Sequence, residues 1–115
     1  MLKKLLKIQT FVLTICLGLT GFSYAQIPYT FSSSGALGNV GPTQIQCDAE
    51  YAGSNLDGNV TVTGGVQFWD VPITGTYTIE AFGGQGYGDF GGRGAHITGE
   101  FNLTAGETLK ILVGQ

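Results

Sequence analysis

Residues 66–115 read VQFWDVPITGTYTIEAFGGQGYGDFGGRGAHITGEFNLTAGETLKILVGQ, and they carry the clearest structural pattern of the chain. It contains three or four apolar runs with the alternation typical of β-strands. A segment dense in glycine, Gly83–Gly94, separates two of these runs and has glycine at seven of its twelve positions. Glycine loses more backbone entropy on folding than any other residue. We therefore expect this glycine segment either to pack backbones more closely than a Cβ allows or to bind a ligand against bare main chain.

Short apolar runs recur at about ten-residue spacing along the chain, as in antiparallel all-β folds. The expected strands cover residues 60–63, 66–71, 76–82, 95–103 and 109–113, with an edge strand around Tyr29–Phe31. Gly64-Gly65 is typical of a hairpin turn. Trp69 and Val71 should share one face of their strand. The pattern predicts an all-β fold, an antiparallel β-sandwich or jelly roll with a glycine-rich insertion.

One short helix of about two to three turns is expected between Gly41 and Gly53. A proline stands near its start and a glycine at its end, which are common positions for these residues at helix termini. Ile45, Ala49 and Ala52 recur at three- and four-residue spacing. Apolar residues at this spacing are typical of a helix.

Residues 1–25 have the pattern of a secretory signal peptide. Lys3, Lys4 and Lys7 precede a mostly apolar core, and residues 23–25 (Ser-Tyr-Ala) form a small-x-small cleavage site. We therefore expect secretion, with residues 26–115 as the mature chain.

Two other interpretations of the N-terminal segment are weaker. A membrane-spanning helix needs about 20 apolar residues, and the apolar run here is shorter and interrupted by Gly18 and Gly21. A lipid anchor on Cys16 is disfavoured by the bulky Ile15 that precedes it.

Removal of residues 1–25 would make the chain more acidic. The full chain carries a net charge of −3, whereas residues 26–115 keep only Arg93 and Lys110 against eight acidic side chains, a net charge of −6. This balance argues against nucleic acid or anionic membrane as a partner.

Because the chain stops at an apolar strand, we expect residues 26–115 to be the N-terminal part of a longer domain, with any membrane contact made by segments beyond it.

No arrangement of residues in the sequence predicts a catalytic, cofactor or metal site. Residues 86–91 fit G-x-G-x-x-G, but a dinucleotide site needs a helix after the last glycine, and a β-pattern follows. The single histidine, His96, has no nucleophile, acid or metal ligands at suitable spacing around it. We expect His96 to be an exposed or hydrogen-bonded strand residue, and we expect no cofactor.

Four residues are candidates for ligand binding: Tyr87, Phe90, Arg93 and Trp69. Aromatic side chains beside glycines can stack on sugars or contact a protein partner. The equally weighted alternative is that Tyr87 and Phe90 cap the end of the sandwich as core residues. Cys47 is the single cysteine of residues 26–115, which indicates a partner outside this segment, an intermolecular bridge or a free thiol.

Several strings in the chain resemble a receptor family. Residues 31–36 and 41–53, which include GPTQIQC, and residues 106–115, which include ILVGQ, resemble the glycine-rich ligand-binding region of the anaplastic lymphoma kinase and leukocyte tyrosine kinase receptors. Similar domains also occur in bacterial secreted proteins. The resemblance implies a TNF-like β-sandwich whose glycine-rich segments pack together and contribute to binding a protein ligand outside the cell.

The resemblance also implies one departure. The family tends to place a cysteine just before a Gly-Ala pair, where this chain has Ser34, so the usual bridge to Cys47 is expected to be absent. We expect a secreted or cell-surface recognition module that binds an extracellular protein or glycan. Two alternatives stay open. One is the ectodomain of a receptor protein-tyrosine kinase whose kinase lies outside these residues. The other is a carbohydrate-binding or adhesion module of a bacterial surface protein that uses Trp69, Tyr87 and Phe90.

Overall fold

Two four-stranded sheets form the fold in the computed structural model, which describes residues 5–8, 10–16 and 28–114. The elements are β1 (Leu5–Ile8), β2 (Thr10–Cys16), β3 (Pro28–Phe31), α1 (Gln44–Tyr51), β4 (Val60–Thr63), β5 (Val66–Asp70), β6 (Gly75–Phe82), β7 (His96–Leu103) and β8 (Thr108–Val113). One sheet has the order β1-β8-β5-β4 and the other β3-β2-β6-β7. All neighbouring strands are antiparallel except β1 and β8, which are parallel. The predicted all-β class with one short helix is confirmed, and β3 is an edge strand as expected.

The core lies between the two sheets and is centred on Trp69 of β5. Its ring contacts Tyr29 and Phe31 of β3 and Tyr77 of β6, all in the other sheet, at centroid distances of 4.8, 5.9 and 6.4 Å. Trp69 is 2% exposed, and Val71 on the same face is also buried. Because successive side chains of a strand point to opposite faces, the predicted alternation along β5 is confirmed.

Helix α1 begins where the sequence predicts, but it buries a different face. Thr43 is the N-cap and forms a capping box with Gln46: the Thr43 side chain accepts from the Gln46 backbone, and the Gln46 side chain accepts from the Thr43 backbone. The buried residues of the helix are Cys47 and Tyr51, one turn apart. Ile45 is 81% exposed. The spacing of Ile45, Ala49 and Ala52 thus indicates the helix but not its buried face, since all three residues are exposed.

A buried polar network ties α1 to both sheets. The Tyr51 hydroxyl donates to Oε1 of Gln67 at 2.6 Å, and the Ser32 amide donates to the Tyr51 hydroxyl at 3.1 Å. The Gln67 amide group donates to the Ser32 carbonyl at 2.8 Å. In the part of the chain that the structure describes, no buried side-chain polar atom is left without a partner. Because a buried polar group is costly only when unpaired, Gln67 can be fully buried on β5.

The β4–β5 hairpin turn, Gly64-Gly65, has φ of +56° and +77° and is a two-residue turn as predicted. Gly65 has a second reason to be glycine. A Cβ there would overlap the Val40 carbonyl oxygen, and a Cβ on Gly41 would overlap Gly65 in turn, both under the 3.0 Å that real Cβ contacts respect. This close approach fixes the chain just before α1 against the hairpin.

Strands β1 and β2 both lie inside the predicted signal peptide, residues 1–25, for which no strands were expected. β1 pairs with β8, whereas β2 lies between β3 and β6. The predicted cleavage site after Ala25 lies outside the described residues, so removal of this segment stays a prediction.

Candidate recognition surface

The glycine segment projects from the end of the β6–β7 hairpin. The last pair of the ladder is Phe82 with His96, and the Gly83 amide then donates to the Ala95 carbonyl at 2.7 Å. Farther out, the Gly86 amide donates to the Gly92 carbonyl at 3.0 Å. The two limbs of the segment are therefore joined by main-chain hydrogen bonds although they form no regular strand.

The glycines are required because the two limbs approach each other closely. A Cβ on Gly94 would overlap the carbonyl of Gly83, and a Cβ on Gly91 would overlap the carbonyl of Gly86, both far below 3.0 Å. Real Cβ atoms essentially never approach backbone atoms at such distances. Of the two expected explanations for this composition, the close packing of backbones is confirmed.

Tyr87 and Phe90 lie at the tip of the segment, and both side chains are fully exposed. The alternative that they cap the core of the sandwich is therefore wrong. Arg93 is also exposed in the returning limb. The tip thus presents two aromatic rings and a cation to solvent, on a backbone that is hydrogen-bonded below them.

Trp69 lies elsewhere, in the core, where its ring contacts three aromatic side chains of the opposite sheet. Its ring is not accessible to a ligand. Its place in the predicted binding set is corrected to a packing role. The sequence could not separate the two roles, because an aromatic residue on a half-buried strand fits either face.

A surface patch that was not predicted from the sequence lies at the base of the glycine segment. It is formed by Phe82, Ile97, His96 and Glu80. The rings of Phe82 and His96 stack at a centroid distance of 4.3 Å and an interplanar angle of 10°. Glu80 lies 3.7 Å from Nε2 of His96. Ile97 is exposed, whereas alternation along the strand would place it on the inner face. The reason is that the first residues of the edge strand β7 extend beyond the core. His96 is the exposed strand histidine that was expected.

A second surface feature is a shallow depression of about 470 Å³ on the outer face of the β1-β8-β5-β4 sheet. Its lining comprises Gly58, Asn59, Thr61, Thr63, Phe68, Asp70 and Thr108. Thr108 donates to Asp70 at 2.6 Å, and the Lys110 ammonium lies 5.6 Å from the centroid of the Phe68 ring. Among the described residues, no group of three His, Cys, Asp or Glu side chains could hold a metal ion. The depression therefore offers hydroxyl groups and no identifiable reaction chemistry.

Cys47 is fully buried on α1, and its Sγ lies 3.3 Å from Oγ of Ser34. It is a free cysteine. Ser34, where the resembling family tends to have a cysteine, thus directly faces Cys47. Burial raises the pKa of the Cys47 thiol, and the Ser34 hydrogen bond opposes that shift only partly.

The stability of the domain should fall at alkaline pH. Burial raises the pKa of Cys47, and it also raises the pKa values of Tyr51 and Tyr77. A folded-state pKa above the unfolded value means that the fold favours the neutral form. This stabilisation is complete below the unfolded pKa of about 8.5 for cysteine and about 10 for tyrosine, and is lost as the pH rises further.

Urea unfolding at pH 7, 9.5 and 10.5 would measure the decline, and a stability that stays constant across this range would contradict it. In the Cys47→Ala variant, the part of this decline that begins near the unfolded cysteine pKa of about 8.5 should be absent, and the part due to the tyrosines should remain.

Comparison with known proteins finds similarity to a receptor. The chain is 43% identical over 101 residues to the leukocyte tyrosine kinase receptor of Mus musculus. The match covers 76% of this chain and 11% of that receptor. No protein-family model matches the chain, and no solved structure matches it. In the described residues, α1 is the single helix, and it is too short to cross a bilayer. The similarity supports the resemblance to a receptor of this kind that residues 31–53 and 106–115 indicate.

Proposed function

We propose that this chain is an extracellular recognition module whose glycine segment binds a protein ligand through Tyr87, Phe90 and Arg93. The observation that carries the proposal is the full exposure of both aromatic rings at the tip of an arm whose limbs are packed backbone to backbone. Aromatic and arginine side chains are enriched among the residues that dominate binding energy in protein interfaces. Their presentation on a hydrogen-bonded arm lowers the ordering entropy that binding would cost.

The extracellular site of action rests on two observations. Residues 1–25 have the pattern of a secretory signal, and the chain is similar to a tyrosine kinase receptor. We further propose that the two sheets form a TNF-like jelly roll. The chain spans 11% of the receptor that it matches, so a kinase activity of the whole protein is a separate proposal. Sequencing the gene beyond the codon for Gln115 would test it.

A protein ligand is favoured over a glycan. The adhesion alternative relied on three aromatic platforms, and Trp69 is buried, which leaves Tyr87 and Phe90. The surface hydroxyls of Thr61, Thr63 and Thr108 gather in the separate depression near Asn59, whose lining includes neither ring. Sugar recognition generally needs both kinds of group in one site.

The test is a binding screen of the purified chain against a panel of secreted and cell-surface proteins, with a glycan array alongside. For any protein bound, the Tyr87→Ala/Phe90→Ala double variant should bind about a hundredfold more weakly, since two fully buried anchors are each expected to contribute about 1.4 kcal/mol or more. Its melting temperature should be unchanged, because both rings are exposed in the free chain.

Ile45→Ala is the matched control, since Ile45 is a large apolar residue exposed elsewhere on the surface, and it should bind like the wild-type chain. Equal affinity of the double variant and the wild-type chain, or binding to glycans alone, would contradict the proposal.

A further inference from the structure

Strand β2 is a central strand, although it lies in the segment that we propose is removed. It is antiparallel to β3 on one side and to β6 on the other. The position of Leu13 pairs with Tyr29 of β3 and with Ile79 of β6, both of which are buried. Loss of residues 1–25 would therefore open a slot between two strands inside a sheet and would not merely shorten an edge.

The β3 wall of this slot is held in place by contacts that do not involve β2. Asn55 donates to the Pro28 carbonyl at 2.8 Å, and both the amide and the carbonyl of Ser32 bond to the Tyr51–Gln67 pair. The other wall, β6, pairs with β7 from Gly75 to Phe82. Both walls thus remain defined when the strand between them is taken away.

Trp69 forms the floor of the slot. Its ring contacts Tyr29 and Phe31 on the β3 wall and Tyr77 on the β6 wall. Adjacent strands lie about 4.8 Å apart, so walls that flank one missing strand are separated by about 9.6 Å. An empty slot of this kind would leave an apolar floor and two rows of unpaired backbone groups exposed to water.

We propose that the processed chain is a strand acceptor that binds an extended apolar peptide between β3 and β6. The peptide runs antiparallel to both walls and bonds to each through its main chain, with apolar residues at alternate positions above Trp69. Residues 10–16 show the chemistry required: they carry no charge, and Phe11, Leu13 and Ile15 stand at the positions that pair with inward-facing residues of β6. The inference rests on removal of residues 1–25 and is independent of the ligand at the glycine segment.

The experiment starts from the full chain with a site-specific protease sequence inserted between Ala25 and Gln26. After cleavage, a fluorescent peptide with the sequence of residues 10–16 and Cys16→Ser is added in excess. We expect one peptide to be taken up per chain, with release of the original N-terminal segment. The melting temperature of the cleaved chain should rise with peptide concentration, because a ligand that binds only the folded state stabilises it.

Two variant peptides test the predicted register. Leu13→Lys places a charge opposite Tyr29 and Ile79 and should weaken uptake about a hundredfold, because a buried unpaired charge is costly. Val12→Lys is the matched control: Val12 pairs with Thr30 and Glu80 on the outer face, so uptake should be retained.

Three outcomes would overturn the proposal. One is equal uptake of the Leu13→Lys and Val12→Lys peptides. The second is slow hydrogen exchange, in the cleaved chain without peptide, of the β3 and β6 amides that face the position of β2, which would mean that the slot is closed or filled by a second copy. The third is a cleaved chain that unfolds and does not regain the near-ultraviolet signal of Trp69 when peptide is added. Uptake by the Tyr87→Ala/Phe90→Ala variant should be unchanged, which separates this test from that of the recognition surface.

Discussion

The Ser34→Cys variant is expected to form a disulfide with Cys47 and to be more stable than the wild-type chain by about 3 kcal/mol. The two side chains already meet, with Oγ of Ser34 3.3 Å from Sγ of Cys47, and both residues are buried. A bridge between them closes a loop of roughly 15 residues, for which the restriction of the unfolded chain gives a stabilisation of about that size. The family that the chain resembles tends to place a cysteine where this chain has Ser34.

Urea unfolding before and after reduction, with a count of free thiols, would measure this effect. The stabilisation should disappear when the variant is reduced, and the oxidised variant should lack the free Cys47 thiol that the wild-type chain exposes on unfolding. Ser34→Ala is the control, since it removes the hydrogen bond to Cys47 without offering a second thiol. Two results would show that the two Cβ atoms are not oriented for a bridge. One is that both thiols of the Ser34→Cys protein stay free under oxidising conditions. The other is that the oxidised protein is no more stable than the reduced one.

The Gly94→Ala variant is expected to destabilise the glycine segment by about 1–3 kcal/mol, the range found when an added methyl group forces closely packed atoms apart. The added methyl group would overlap the Gly83 carbonyl, so the two limbs of the segment would have to separate. The Gly83–Ala95 hydrogen bond beside them should then open more often. Hydrogen exchange at the Gly83 amide measures this opening directly, and the rate should rise by about tenfold or more.

Gly92→Ala is the matched control for this prediction. A Cβ at Gly92 has no heavy atom within 4 Å, and the residue does not have positive φ. Alanine should therefore be neutral or mildly stabilising there, because it restricts the unfolded chain. If Gly92→Ala and Gly94→Ala gave the same exchange rates at Gly83, the limbs would not be packed as the structure shows.

Much of the fold could be predicted from local pattern. The alternation around Trp69 and Ile111, the proline near the start of α1 and the Gly64-Gly65 turn act within a few residues of chain, and the strands, helix and turn that they predict between residues 42 and 113 are present. The spacing of apolar residues in α1 did not identify its buried face. Which side of a short helix faces the core depends on the partners that the sheets present, here the Ser34 and Gln67 groups that meet Cys47 and Tyr51.

The candidate site was only partly predictable, for a similar reason. The density of glycine in residues 83–94 indicated close backbone packing, since that composition has few other physical explanations. Exposure of Tyr87 and Phe90 and burial of Trp69 depend on which surfaces the other sheet covers. The position of β2 between β3 and β6 was not predicted either, because the apolar core of a signal peptide and a central strand have the same composition.

The most direct test of the proposed recognition role is a hydrogen-exchange footprint of the chain with and without a protein ligand from the binding screen. Ligand binding at the glycine segment should slow exchange within residues 83–94, most strongly at the amides around Tyr87 and Phe90. Protection confined to the depression near Asn59 and Thr108, with unchanged exchange in the glycine segment, would contradict it.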